Sequence, residues 1–335
     1  MPSTKAIVCR AFAPVEQLRY EDCEQPALAG GEIRVAIWAA GVNFSDSLKA
    51  EGRYQIRPAL PWIPGSEMAG VVVESAPDVS TVKVGDRVMG LSLNGGGYAQ
   101  QIVLPEERAL LLPPDLGFDE AAALPIVYGT SLYALRHRAR LQPGEWLLVL
   151  GAAGGVGLAA VQLGKVLGAQ VIAAASTPEK RDLALKHGAS HAIDYTRPDW
   201  RHEVKSLTGG RGVNVVYDPV GGDAFDEAVR TVGWGGRYLV VGFTAGRIPT
   251  LQVNMPLVKG FDIVGVRYDT WRNGWWREAR ADLEQVLAWC ASGELKPLVS
   301  ARYPLQRAVE AMRSVTGRHV TGKVVLENTD GISHQ

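Results

Sequence analysis

The stretch best suited to chemistry is Leu147-Leu148-Val149-Leu150-Gly151-Ala152-Ala153-Gly154-Gly155-Val156-Gly157. Four apolar residues lead into a glycine cluster, and apolar residues then recur at helical spacing at Val156, Ala160, Leu163 and Leu167. Strand, tight turn and helix in that order meet the needs of a dinucleotide site. The backbone can approach a pyrophosphate, a small residue lets helix and strand pack closely, and the helix start offers free N–H groups. Gly154 and Gly157 fill the last two glycine positions of G-x-G-x-x-G and Ala152 stands at the first, so the pattern is a variant.

The next decision falls about 20 residues on, where a site for NAD(H) carries Asp or Glu for the ribose 2′-hydroxyl. Here the run is Ala174-Ala175-Ser176-Thr177 with Lys180 and Arg181 close behind. No carboxylate repels a 2′-phosphate there, while hydroxyls and a cation can receive it, so NADP(H) is favoured. Other chemistry has weaker support. Cys9, Cys23 and Cys290 are too few and too scattered for a disulfide framework or a Cys-rich zinc site. Gly188 interrupts the helix between His187 and His191, so the two rings lose a shared face. His187 is expected at the helix C-terminus, where a cation suits the dipole. No G-x-S-x-G elbow or H-E-x-x-H run is present.

The elements that must position these residues divide the chain in two. Up to about residue 120 the sequence reads as short β-rich runs (Ala6–Cys9, Ile33–Ala39, Gly70–Glu74, Arg87–Leu91) without a long helical period. From Trp146 strands and helices alternate: strands at 171–175, 192–195, 213–218, 237–243 and 263–266, helices at 156–167, 178–187, 199–207 and 224–232. That rhythm predicts an α/β doubly wound parallel sheet. The helix Arg277–Ala291 follows, and the tail Val299–Leu326 returns to short strands around one helix, so the sheet domain reads as an insertion. Lys+Arg and Asp+Glu both number 35, which argues against a nucleic-acid footprint. Trp146 to Gly164 carries no charge, yet its glycines and Gln162 fit strand, turn and helix better than a membrane span. Met1 to Pro14 carries Lys5 and Arg10 and lacks a long apolar core. The expectation is a soluble cytoplasmic protein with no membrane or nucleic-acid partner.

Gly144-Glu145, Leu148, Ala152-Ala153-Gly154-Gly155, Gly157, Gln162 and Lys165 resemble the signature of quinone oxidoreductases, the zeta-crystallin-like, zinc-free branch of the medium-chain dehydrogenases/reductases. The likeness extends to Gly41-Val42-Asn43-Phe44-Ser45-Asp46, Gly52-Arg53-Tyr54, Pro64-Gly65-Ser66-Glu67 and Gly85-Asp86-Arg87-Val88. It continues through Gly96-Gly97-Tyr98-Ala99, Tyr128-Gly129-Thr130 and Thr321-Gly322-Lys323, covering nearly the whole chain. It implies a GroES-like catalytic domain beginning at 1–124, a Rossmann NADP-binding domain over 125–267, and a helical connection and return to the catalytic domain over 268–335. Zinc alcohol dehydrogenases of the superfamily have Cys where Asn43 stands and His where Ser66 stands, and a Cys-rich lobe where 95–108 has no Cys. Asn and Ser cannot replace those ligands, and no metal site is expected.

The resemblance further implies Asn43, Asp46 and Tyr54 beside the nicotinamide and substrate. Asn43 would bond the nicotinamide ribose or the substrate carbonyl. Asp46 would orient Asn43 or nearby backbone, or simply cap a turn. Tyr54 would donate a hydrogen bond or proton to a developing oxyanion, or only form a wall. Around the cofactor, Thr130 is implied at the phosphate or ribose and Gly154, Gly155 and Val156 at the pyrophosphate. Ser176, Lys180 and Tyr195 follow at the 2′-phosphate and adenine, Gly242 and Phe243 at the sheet's switch-point edge, and Val264 and Val266 near the carboxamide. Trp271, Trp275 and Trp276 are expected in the core or an interface, or lining an acceptor pocket. The family often dimerises by pairing its last strand, which implies a homodimer. The leading expectation is NADPH-dependent hydride transfer to a quinone. The alternatives are an enoyl- or acryloyl-thioester or haloacrylate-type alkene reductase and a non-catalytic, crystallin-like NADPH-binding protein.

Overall fold

The computed structural model describes residues 3–317 and 320–328; the final residues of the expected return segment, 329–335, lie outside the described ones. The chain forms two compact units, one from Met1–Ile126 with Pro297–Gln335 and the other from Val127–Lys296. The first unit opens with an antiparallel pair, β1 (Ser3–Val8) and β2 (Arg19–Glu24). Its main sheet begins with β3 (Glu32–Val42), β4 (Glu67–Ser75), β5 (Arg87–Leu91), β6 (Gln101–Pro105) and β7 (Ala109–Leu111). Ile33, Val35 and Ile37 of β3 alternate into the core, as a strand with period two requires.

The second unit holds six parallel strands: β8 (Trp146–Leu150), β9 (Gln170–Ala174), β10 (His191–Ile193), β11 (Val213–Asp218), β12 (Val232–Val240) and β13 (Asp262–Gly265). Their order, β10-β9-β8-β11-β12-β13, is that of a doubly wound dinucleotide-binding sheet. Leu147, Leu148, Val149 and Leu150 are wholly buried, as expected of a central strand covered on both faces. Each contributes about 1.5–3 kcal/mol through burial. The uncharged stretch from Trp146 resolves into β8, a turn and the helix Gly155–Val166. Among the described residues, no helix is long and apolar enough to cross a membrane.

The returning chain adds β14 (Val299–Pro304) and β15 (Lys323–Glu327) to the first unit. Its sheet then runs β14-β15-β3-β4-β5-β7, with β6 also on β3. The helix Phe44–Ala50 is absent from the sequence-based expectation, because seven residues are too few to display a helical period. Strand β12 begins at Val232 rather than Arg237, and the preceding helix, Gly222–Ala228, ends earlier than expected. Gly233-Trp234-Gly235-Gly236 reads as a turn by composition. Parallel pairing of Val213 with Val232, across a register shift, nevertheless keeps this segment in the strand.

Candidate functional site

The residues singled out from the sequence fall into two sets, one in each unit. In the second unit they gather at the carboxyl ends of the parallel strands. Gly151 follows β8 with φ of 58°, so it supplies the left-handed turn one residue before the position read from the motif. Gly154 caps the helix Gly155–Val166, and among the described residues beyond its chain neighbours a side chain there would approach one atom, Gly151 O, at 3.5 Å. The backbone above Gly154 is therefore open. Gly157 differs: a Cβ there would lie 2.2 Å from Gly151 O, so close packing of turn and helix fixes it as glycine. Three features thus fit a dinucleotide pyrophosphate: an open glycine, N–H groups at a helix start, and apolar support beneath.

Beyond β9, Thr177 caps the helix Pro178–Lys186, its hydroxyl accepting from Lys180 N at 3.4 Å. Ser176 and Lys180 are half-buried beside this cap. Arg181 is committed elsewhere, paired with Asp194 at 3.0 Å and donating to Ala175 O at 3.3 Å. Tyr195 follows β10 and packs on the sheet's apolar core. Gly242 follows β12, its N–H bonded to Asp218 O at 3.2 Å, and the Phe243 ring lies over Gly221. Val264 lies in β13 opposite Leu239, and Val266 N donates to Val240 O at 3.0 Å.

Thr130 lies in the helix Val127–Leu132 beside Ser131, which the sequence did not single out. Ser131 Oγ donates to Val156 O at 3.0 Å and lies 2.9 Å from Tyr217 OH, joining this helix to the glycine-turn helix. Asp218, also not anticipated, accepts from Val220 N, Gly221 N and Tyr238 OH at 2.7–2.8 Å and fixes the turn after β11. Of the three tryptophans, Trp276 is half-buried and the other two differ sharply. Trp271 stacks on Tyr133 with ring centroids 4.5 Å apart, whereas Trp275 stays 54% exposed.

In the first unit, strand register assembles the site. Asn43 follows the end of β3, Glu67 opens β4 and Lys323 opens β15; Ala40 pairs with Met68, and Val42 with Val324. Lys323 Nζ lies 2.7 Å from Glu67 Oε1, 2.9 Å from Asn43 Oδ1 and 3.0 Å from Val42 O. Asn43 Nδ2 donates to the same Glu67 Oε1 at 2.7 Å, and Ile126 N donates to Oε2 at 2.6 Å. A Cβ on Gly41 would meet Glu67 Oε1 at 2.2 Å, so the carboxylate uses the space that a side chain would fill. Removing either partner of such a buried ion pair costs about 3–5 kcal/mol.

Asp46 is fully buried and accepts from Asn43 N at 3.0 Å and Tyr98 OH at 2.9 Å. Burial raises its carboxyl above the ordinary value despite those bonds, and pushes the Tyr98 phenol well up. Tyr54 is half-buried just beyond the helix, with its N–H on Leu48 O and its ring 5.3 Å from Lys49 Nζ. The structure therefore brings Asn43 and Asp46 together and adds Glu67, Tyr98 and Lys323, whose roles the sequence reading did not identify.

Residues 29–114 match the alcohol dehydrogenase GroES-like domain family, and residues 155–292 match the family described as zinc-binding dehydrogenase. A quinone oxidoreductase-like protein 2 homolog of Nematostella vectensis is 41% identical over 97% of this chain and 89% of its own. The chain belongs to the quinone oxidoreductase branch of the medium-chain dehydrogenases/reductases. The Escherichia coli quinone oxidoreductase complexed with NADPH is 30% identical, covers 96% of this chain and 99% of its own, and superposes with a TM-score of 0.88. The CurK enoyl reductase is 26% identical over 97% of this chain and 99% of its own, with a TM-score of 0.87. These relatives support an oxidoreductase with a nicotinamide cofactor and a small-molecule substrate.

The name of the second family implies zinc, but the donor set here does not suit it. Asn43 and Ser66 offer an amide and a hydroxyl in place of thiolate and imidazole. Glu67 Oε1 already carries the Lys323 ammonium, so a divalent ion there would meet a like charge. Among the described residues, no group of three or more His, Cys, Asp or Glu side chains could hold a metal ion.

Proposed function

We propose that this chain is an NADPH-dependent reductase that transfers hydride to a quinone without a metal ion. The observation that carries the reading is the open backbone at Gly154, a helix start at the carboxyl edge of a 3-2-1-4-5-6 parallel sheet. The absence of a carboxylate at Ser176-Thr177 supports NADPH over NADH. Gly154, Gly155 and Val156 receive the pyrophosphate, and Thr130 a phosphate or ribose. Ser176, Lys180 and Tyr195 take the 2′-phosphate and adenine end; Gly242, Phe243, Val264 and Val266 flank the nicotinamide half.

When bound, NADPH supplies the hydride; the protein supplies position and polarity. Asn43 hydrogen-bonds the nicotinamide ribose or the acceptor carbonyl. Tyr54 donates to the oxygen on which negative charge develops. Asp46 already accepts from Asn43 N and Tyr98 OH, which supports an orienting carboxylate rather than a proton source. The likeness to an enoyl reductase favours a second reading, in which the acceptor is an activated alkene such as an enoyl thioester.

The proposal extends to a cytoplasmic homodimer joined along β13. Trp234, Val253, Leu257 and Val258 are each more than 70% exposed on this unit, and the helix Asn254–Lys259 buries none of its residues. An apolar surface of this kind beside a sheet edge suits a second copy. Sedimentation of the wild type as a dimer, and of Leu257→Glu as a monomer, is the expected result.

The deciding experiment is a panel of quinones, enones and enoyl thioesters assayed with NADPH and NADH. Oxidation of NADPH by 9,10-phenanthrenequinone, unchanged by EDTA, is the expected outcome. Turnover of enoyl thioesters with inert quinones would move the chain to the second reading. NADPH binding without turnover of any acceptor would leave a binding protein, and stoichiometric zinc would overturn the metal-free claim.

A further inference from the structure

Asn43, Glu67 and Lys323 close a triangle of hydrogen bonds inside the first unit. The ammonium has three donors and three acceptors: Glu67 Oε1, Asn43 Oδ1 and Val42 O. Its side chain is 5% exposed and that of Glu67 is wholly buried, so these bonds face little competition from water. The Asn43 amide completes the triangle through Nδ2 to Glu67 Oε1. Reversing that amide would set its NH₂ against the ammonium and its oxygen against the carboxylate. Both contacts would then be repulsive.

We propose that Lys323 is a positioning residue: a fixed internal cation that holds the Asn43 amide in one orientation. Its effect on turnover passes through Asn43, whose remaining lone pair and second N–H are thereby aimed in one sense. The inference rests on the proposed reading in which Asn43 bonds ribose or substrate. It adds a function for a residue 280 positions away in sequence. Charge compensation of Glu67 alone would leave the amide orientation irrelevant to turnover, and that difference makes the two roles separable.

The test compares Glu67→Gln with the double variant Glu67→Gln/Lys323→Met. Both remove the buried carboxylate, but only the first keeps the ammonium on Asn43 Oδ1. A glutamine at 67 can donate or accept, so the double variant loses both constraints on the amide. The double variant should fall about 10- to 100-fold below Glu67→Gln in kcat/KM, the range for a slightly misplaced group. Glu67→Gln should have the lower Tm of the two, because it alone leaves a buried ammonium without its counter-ion, so lost stability cannot account for weaker turnover in the double variant. Equal kcat/KM in the two would overturn the proposal. Asn43→Ala is the control: wild-type turnover in it would remove the role of Asn43, and with it that of Lys323. A loss in Asn43→Ala with none in the double variant would remove only Lys323. If the double variant does not fold, neutron diffraction of the wild type decides independently. Asn43 Oδ1 must face Lys323, and the reverse assignment overturns the proposal.

Discussion

At the carboxyl edge of the parallel sheet, the groups open to an anion are the main-chain N–H groups of Gly155 and Val156, with open space above Gly154, whose own N–H donates to Gly151 O at 3.0 Å. At the strand ends of the first unit, Asn43, Glu67 and Lys323 turn inward and satisfy one another. The first arrangement suits a large anion that brings its own charge and needs only donors. The second suits a neutral amide whose direction matters, because buried ionic partners restrict it to one setting. A substitution in the glycine turn should therefore act by shape, and one in the buried triangle by orientation and charge.

The glycine pair offers the largest effect. Gly157→Ala would press a Cβ against three backbone atoms, Gly151 O, Gly151 C and Ala152 Cα, at 2.2–3.0 Å. Backbone cannot move aside as a flexible side chain can. A loss of about 1–3 kcal/mol or more is expected, together with loss of NADPH binding. Gly154→Ala meets only one atom at an ordinary distance. Its Tm should match the wild type, while the Kd for NADPH rises about tenfold or more because the new methyl occupies the anion's approach. Scanning fluorimetry and an NADPH fluorescence titration read the two effects separately. Equal losses of Tm would break the distinction between packing glycine and binding glycine.

Lys180 and Arg181 sharpen the same region. Lys180→Ala should raise KM for NADPH about tenfold relative to NADH, equivalent to about 1.4 kcal/mol. Arg181→Ala should change that ratio less, because Asp194 and Ala175 O already engage its guanidinium. A larger change at Arg181 would reassign the 2′-phosphate contact. In the first unit, Tyr54→Phe should lower kcat severalfold without moving Tm; an unchanged kcat would reduce the ring to a wall.

These comparisons also explain what the sequence could reveal. The alternation from Trp146 onward and the glycine turn were legible because neighbouring residues build them. Even there, the turn glycine is Gly151, one position from the motif's first slot, and the glycine-rich start of β12 was hidden by its composition. The ionic triangle was not legible. Lys323 stands 256 residues from Glu67, and only the register of β15 on β3 and β3 on β4 brings them together. Asn43 was read through resemblance, but its partners depend on strand pairing that spacing alone does not encode.

The smallest effect, and the sharpest contrast between the regions, is in pH dependence. Burial raises the Asp46 carboxyl, so the folded chain holds that proton more tightly than the unfolded one. Its contribution to stability is full below the ordinary value of 3.8 and is lost as pH rises through the raised one. His187 in the second unit has the opposite sign. Gln162 Oε1 accepts from Lys296 N at 2.9 Å and its Nε2 donates to Lys296 O at 3.1 Å, which fixes the amide. The remaining Nε2 hydrogen points to His187 Nδ1 at 3.1 Å, so that nitrogen must accept and the ring is neutral. His187 lies at the C-terminus of the helix Pro178–Lys186, where the sequence places it, and burial lowers its pKa there. Its stabilising contribution is present above 6.5 and lost as pH falls through the lowered value. Tm followed from pH 4 to 8 should therefore lose part of its acid-side fall in His187→Gln. Asp46→Asn should remove a decline of opposite slope above 3.8. An unchanged acid-side slope in His187→Gln would mean that the ring already shares its proton with solvent, and Gln162 would then be an anchor for Lys296 alone.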